Sequence, residues 1–301
     1  MRVFLTGATG FIGSRVLKEL LAAGHQVLGL TRSDAGEQWL VQAGASAHRG
    51  TLEDPGSVAR GAALADAVIH TAFDHDFSRF AENCAKDARV IAAMAEVLAG
   101  SNKPLIISSA TGMGSRGAGQ LAVEDVVDWA HALPRLASER AGAEAAERGV
   151  SVAVMRLPQV HDTERQGLIS PLIQIARAKG VSAYVGDGTN RWPAVHIDDA
   201  ARLYRLALDH HKAGARYHAV AEQGVGMRRI AEAIGAGLGV PVVALTPDQA
   251  ADHFGWMAPF MALDMQASSA WTRSRLNWTP VGPDLIFDLA AMDYAKLGVA
   301  S

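Results

Sequence analysis

The sequence predicts an α/β fold: a doubly wound parallel sheet with a smaller C-terminal region. Three observations carry this. Short apolar runs alternate with amphipathic helical patterns through the first half, the first run feeds directly into a glycine-rich turn, and the alternation loosens after Leu157-Pro158. Apolar runs separated by helices read as strands buried on both faces, because parallel neighbours need crossover helices that cover the sheet. The chain has 301 residues, 49% of them apolar and 20% charged, which suits one or two globular domains and excludes a disulfide-stapled miniprotein, a disordered tail or a fibrous repeat.

In order, strands are expected at Arg2 to Thr6, Gln26 to Thr31, Ser46 to Arg49, Ala67 to His70, Leu105 to Ser108 and Val152 to Arg156, with amphipathic stretches such as Ser14 to Ala23 and Phe77 to Ala99 between them. Beyond Pro158 come a helix near Leu168 to Lys179, a turn at Gly186-Asp187-Gly188, a helix from about Asp198 to His211, and shorter pieces punctuated by Gly and Pro. The expected division is residues 1–157 for a dinucleotide-binding domain and 158–301 for a substrate-binding region packed on its ligand edge. Cys84 is the only cysteine, so no internal disulfide can form, and the N-terminus shows no signal-peptide pattern. No apolar run approaches the ~20 residues of a membrane span. With a net charge of −3 and no Lys/Arg block, the chain reads as a cytoplasmic monomer or homodimer whose partner is a small molecule, not a nucleic acid or a membrane.

The turn Thr6-Gly7-Ala8-Thr9-Gly10-Phe11-Ile12-Gly13 closes the first strand and opens the first helix. Gly7, Gly10 and Gly13 permit a tight bend, close approach of a diphosphate and close helix-to-strand packing, while the helix start offers free N–H groups to an anion. Thr9, Phe11 and Ile12 belong to the same cofactor-binding set.

This octet resembles the TGxxGxxG fingerprint of the extended short-chain dehydrogenase/reductases, whose sheet is a Rossmann fold and whose members include epimerases, dehydratases and reductases. Asp66 to Ala72 resembles the family's fourth strand, Ile107 to Thr111 its fifth, Arg156-Leu157-Pro158 its arginine-x-proline step beside the nicotinamide, and Pro193 to Ala200 a strand-to-helix step of its C-terminal part. The resemblance covers about residues 1 to 220. It implies a nicotinamide cofactor, with Thr51 and Leu52 bordering the adenine, Ala72 and Phe73 the middle of the dinucleotide, and Leu157 and Pro158 its nicotinamide end.

NAD-binding versions of such sheets end the second strand with an acidic residue that holds the ribose hydroxyls. Here the strand ends Leu30-Thr31-Arg32-Ser33, so Arg32, with Ser33 beside it, stands where a 2′-phosphate could be gripped. NADP(H) is the expected cofactor, with NAD(H) as the weaker alternative through Asp34.

Family members usually combine a serine with a Tyr-x-x-x-Lys pair. Four positions beyond Tyr184, Tyr204, Tyr217 and Tyr294 stand Gly188, Leu208, Ala221 and Gly298, so the pair does not exist here. The corresponding segment places Arg135 at the tyrosine position and Glu139 at the lysine position, or, shifted by one, Leu136 and Arg140. The resemblance is therefore to an atypical branch of the family. Ser109 matches the family's serine and Thr111 lies two residues on; Asn83 and Asp87 both compete for a family asparagine position. A replacement proton donor is needed, and His75, flanked by Asp74 and Asp76 whose charges should raise its pKa, is one candidate. His161 is another. Arg135 could bind a substrate oxygen but stays charged. Asp198 and Asp199 read as a helix cap rather than metal ligands. The sequence thus points to an NADP(H)-dependent carbonyl reductase acting on a partly apolar substrate. The alternatives are an NADP-binding redox sensor without turnover and a nucleotide-sugar-type epimerase or dehydratase.

Overall fold

In chain order the elements of the computed structural model, which describes residues 1–117 and 119–298, are β1 (Arg2–Thr6), α1 (Phe11–Ala22), β2 (Gln26–Thr31), α2 (Asp34–Gln42), β3 (Ser46–Arg49), α3 (Pro55–Ala63), β4 (Ala67–His70), α4 (Phe80–Leu98), β5 (Pro104–Ala110), α5 (Leu136–Glu147) and β6 (Ser151–Leu157). There follow β7 (Gln159–His161), α6 (Ile169–Lys179), β8 (Ser182–Val185), β9 (Arg191–His196), α7 (Ile197–Asp209), β10 (Arg216–His218), β11 (Glu222–Gly226), α8 (Met227–Leu238), β12 (Val242–Leu245), α9 (Pro247–Phe254), α10 (Ala258–Met261), α11 (Ala270–Leu276) and α12 (Leu285–Ala291). All six strands expected in the first half are present.

The main sheet has seven parallel strands in the order β3-β2-β1-β4-β5-β6-β10. Strand alternation divides its apolar side chains between two covering layers. Val3, Leu5, Ile69 and Ile106 face a core shared with α1 and α7, whereas Phe4, Val68, Leu105 and Ile107 face one shared with α3, α4 and α5. The strand order reverses between β1 and β4, which opens the crevice at the carboxyl edge where ligands bind in this architecture.

Residues beyond 158 contribute to both parts of the molecule. α7 lies on α1 with Leu203 and Tyr204 in the sheet's own core, and β10 extends that sheet beside β6. The remainder forms a three-stranded sheet (β7-β9-β11), a two-stranded parallel sheet (β8 with β12) and covering helices around a third core. Trp192, Phe254, Met257 and Met261 are buried in that core, while Trp256 and Trp271 are exposed. Among the described residues no helix is long and apolar enough to cross a membrane.

The expected cap of α7 differs in detail. The helix starts at Ile197, so Asp198 and Asp199 fall in its first turn and the cap is the His196 ring, whose Nδ1 accepts from the Asp198 N–H at 3.3 Å. Asp199 instead anchors the C-terminal segment: its buried carboxylate accepts from Val281 N at 2.9 Å and Gly282 N at 2.7 Å, and faces Arg202 at 2.6 Å. Removing it strands two backbone donors and an arginine. Asp199→Ala should therefore lower unfolding free energy by roughly 2 to 4 kcal/mol in denaturant titration, whereas a solvated aspartate would give a change below about 0.5 kcal/mol.

Candidate active site

The glycine turn is built as its spacing implies. Gly7 adopts φ +68°, and a Cβ there would lie 2.8 Å from the Ala72 nitrogen; a Cβ on Gly13 would lie 2.0 Å from the Gly7 carbonyl oxygen. These two glycines therefore pack helix to strand, while Gly10 stands exposed at the helix start. α1 begins with no side-chain cap and no acidic residue in its first turn. Its first N–H groups, at Phe11 and Ile12, are thus open to an anion. Ala72 is fixed against the turn by its N–H donating to the Thr6 hydroxyl at 3.2 Å. A dinucleotide's diphosphate fits this cradle.

At the end of β2, Arg32 is exposed, and Ser33 uses its hydroxyl to cap α2 by accepting from Gly36 N at 3.1 Å. Asp34 is engaged by Arg49 at 2.7 Å. Thr51 is tied to Ser57 through its backbone and to Glu53 through its hydroxyl, and Leu52 packs against the core under β1 and β4. Phe73 carries the Arg135 guanidinium over its ring at 4.3 Å. Leu157 and Pro158 lie partly buried where β6 ends.

Beneath the crevice lies a buried polar chain. The His70 Nε2 meets Asp87 Oδ1 at 2.9 Å, and its Nδ1 meets the Thr6 hydroxyl at 2.6 Å. An ionised carboxylate only accepts, so His70 Nε2 carries a proton. The second oxygen of Asp87 accepts from Arg135 Nη1 at 2.8 Å and from the Ser138 hydroxyl at 2.6 Å. Arg135 Nη1 also contacts the Ser138 hydroxyl at 2.9 Å, and its Nη2 donates to the Ser108 carbonyl at 2.7 Å. Burial alone would raise the Asp87 pKa, but the Arg135 charge and the bonds from His70 and Ser138 outweigh it and hold the carboxyl at about 2.

Ser108 and Ser109 point to opposite faces of β5. The Ser108 hydroxyl donates to the His70 carbonyl at 2.6 Å, so the Tyr204 hydroxyl, also at 2.6 Å, donates to it. The Ser109 Oγ, buried on the other face, has no partner among the described residues. Thr111 is buried in the 3-10 turn that follows. Of the tyrosines, Tyr204 lies under the sheet, its pKa pushed up by burial; Tyr217 stacks on Trp271; Tyr294 packs in the third core; and Tyr184 pairs with Arg228.

Several expectations change here. His75 does lie on the loop after β4, but its pKa is lowered, not raised: desolvation by its neighbours is the largest cause and the Arg135 charge the next. The flanking carboxylates do little because Asp74 is held by Lys86 at 2.8 Å and Asp76 caps the turn at Ser78. His75 lies edge-on to Phe73 and Phe77, and Phe77 stacks on Trp256 at 4.9 Å, which joins this loop to the C-terminal region. His161 is not in the crevice; it is fully buried with Nδ1 at 2.7 Å from Asp288 on α12. Arg156 is also committed inside the protein. It forms a fully buried pair with Glu139, at 2.6 and 3.0 Å, and also contacts His218. Asp87, not Asn83, carries the contact to the Arg135 segment, since Asn83 donates to the Asp76 carbonyl. The chain from Thr6 to Ser138 escaped the sequence reading, although one signal existed: Asn83, Asp87, Val90, Ile91 and Met94 share the apolar stripe of α4, where a carboxylate must find a partner.

The model of the NAD dependent epimerase/dehydratase family matches residues 3–221. The chain belongs to this family. Membership supports a nicotinamide dinucleotide as the cofactor and an oxidoreductase-type enzyme. An uncharacterized protein of Schizosaccharomyces pombe is 45% identical over 98% of this chain and 100% of its own length. A 2-alkyl-3-oxoalkanoate reductase of Stenotrophomonas maltophilia is 28% identical over 71% of this chain and 67% of its own. The crystal structure of a Thermus thermophilus UDP-glucose 4-epimerase in complex with NAD shares the fold, with a TM-score of 0.72, 20% identity and coverage of 99% and 100% of the two chains.

Asp87 is the natural point to test. Asp87→Asn keeps the shape but leaves Arg135 buried beside a neutral group, which should cost roughly 3 to 5 kcal/mol of stability. The folded pKa lies below the ordinary value of 3.8, so this contribution is complete above that pH and fades as the pH falls toward about 2. Denaturant unfolding of both proteins across that range should show the gap between them closing in acid; a gap independent of pH would remove the charge from the explanation.

Proposed function

We propose that the protein is an NADPH-dependent carbonyl reductase in which Ser109 and Arg135 do the work that family members usually give to a serine, a tyrosine and a lysine. The observation that carries this is the buried Ser109 hydroxyl without a partner, on the strand whose Ser108 carbonyl fixes Arg135. A buried hydroxyl left without a hydrogen bond is costly, and a ligand oxygen would satisfy it. The reductase relative from Stenotrophomonas supports a carbonyl substrate. NADPH, when bound, supplies a hydride.

The chain's own groups then polarise the carbonyl and stabilise the alkoxide. The Ser109 hydroxyl donates to the substrate oxygen. Arg135 is held by Asp87, Ser138 and the Ser108 carbonyl, which engage three of its five N–H groups and leave two free. Its positive charge is thereby prepositioned where negative charge develops, at no reorganisation cost during the reaction. Arg135 does not release a proton and His75, its pKa lowered, is neutral, so the alkoxide takes its proton from water. The preference for NADPH rests on Arg32, which has no carboxylate partner among the described residues, while Asp34 is neutralised by Arg49.

A second reading draws on Glu139. The residue at the lysine position is committed to Arg156 inside the protein, and this favours a dinucleotide binder without turnover that reports redox state. Turnover separates the two readings: NADPH oxidation over a panel of ketones, aldehydes and imines, with product analysis to detect redox-neutral epimerisation.

Arg32→Ala should weaken NADPH by roughly tenfold or more and leave NADH nearly unchanged, read by fluorescence titration of both cofactors. An unchanged ratio would take Arg32 out of the site. Ser109→Ala should lower kcat by about 10² to 10³ with little change in KM or in NADPH affinity, since the bond strengthens as charge develops. Full turnover in Ser109→Ala with loss in Thr111→Val would move the polarising hydroxyl to Thr111.

A further inference from the structure

One cation at the carboxyl edge of the sheet has no role in the reading above. Arg165 lies in the turn between β7 and α6, where its N–H and that of Glu164 both donate to Asp162 Oδ1 at 2.8 Å. The Arg165 carbonyl closes the same turn by accepting from Asp162 N at 2.9 Å. The Asp162 carboxylate also faces Arg15 of α1 at 3.7 Å, so the turn is fastened to the helix that bears the glycine cradle.

One contact places the Arg165 guanidinium: it lies over the Phe11 ring at 6.0 Å, and its charge is also felt at His75, where it is the smallest of the named causes of the lowered pKa. Phe11 belongs to the turn after β1 and His75 to the loop after β4, so Arg165 stands above the crevice between those strands. Arg15, Arg49 and Arg135 each face a carboxylate; Arg165 faces none among the described residues. The open N–H groups of α1 present partial positive charge to the same space. Two like-signed groups converging on one volume repel weakly until an anion enters, and then both attract it.

We propose that Arg165 is an anion-binding residue of this site, gripping from the C-terminal region an acidic oxygen group that enters beside the α1 turn. The chemistry is a phosphate or carboxylate oxygen on one ligand of the crevice. Two sources can present it: the diphosphate of the dinucleotide, or an acid group on the substrate. The inference rests on the dinucleotide-binding reading of the α1 cradle, and for the second source on the carbonyl substrate.

The test uses the full chain with Arg165→Gln and Arg165→Lys, exposed positions where neither change should disturb folding. In the first arm, dissociation constants are measured for NADPH and for adenosine 2′,5′-bisphosphate, which lacks the diphosphate bridge. If the cofactor is the source, Arg165→Gln weakens NADPH by roughly tenfold, spares the bisphosphate, and Arg165→Lys recovers part of the loss. In the second arm, calorimetry follows binding of keto acids and their methyl esters to the NADP⁺-loaded protein, without need of turnover. If the substrate is the source, Arg165→Gln weakens the acids by a similar factor and leaves the esters alone. Changes below twofold for NADPH and for the acids overturn the inference while leaving the reductase reading intact. Absence of ketone reduction by wild type sinks that reading and still leaves the first arm decisive. Failure of wild type to bind NADPH overturns both.

Discussion

The buried carboxylate of Asp87 is the constraint around which the ligand edge is organised. One oxygen holds His70 at the end of β4 and, through it, Thr6 at the end of β1; the other holds Arg135 and Ser138 at the start of α5. Three crossover units that the chain builds separately are thereby locked at the edge where ligands enter. A charge in such a place is tolerated because both carboxylate oxygens are hydrogen-bonded and one of the partners is a cation, which is the condition under which a buried ion pair holds rather than disrupts. The same bonds orient Arg135 toward the crevice, so structural and chemical demands converge on one side chain.

A second buried pair joins Glu139 of α5 to Arg156 of β6. Arg135 and Glu139 are one helical turn apart and share a face of α5, yet they meet different environments. Arg135 reaches Asp87 and Ser108, while Glu139 turns inward to Arg156 and, at 3.3 Å, Arg216 of β10. Burial and the Arg156 charge hold the adjoining His218 pKa down at about 3, which keeps that ring neutral beside the arginine. Glu139 therefore ties α5 to β6 and β10.

Two contacts join the C-terminal region to this edge: Phe77 stacks on Trp256, and Arg15 joins α1 to the turn carrying Arg165. That region is thus attached to both α1 and the loop after β4.

The order of strands and helices, the glycine cradle and the loss of Tyr-x-x-x-Lys were all legible in the sequence, because each depends on residues adjacent in the chain: apolar periodicity, glycine spacing and a four-residue interval. Ser109 could be placed at a strand end for the same reason. The sequence also bounded the rest, since Arg135 and Asp87 were visible as polar residues at notable positions. Only the tertiary structure decided their partners. Asp87 and Arg135 are 48 residues apart, Arg156 and His218 are 62 apart, and β10 joins the sheet from beyond residue 200. Local pattern carries no information about which distant charges share a volume, and it was this that reversed the expected shift at His75 and tied His161 to Asp288. Pairing between remote side chains is fixed by how helices pack on the sheet, and that packing exists only once the whole chain has folded.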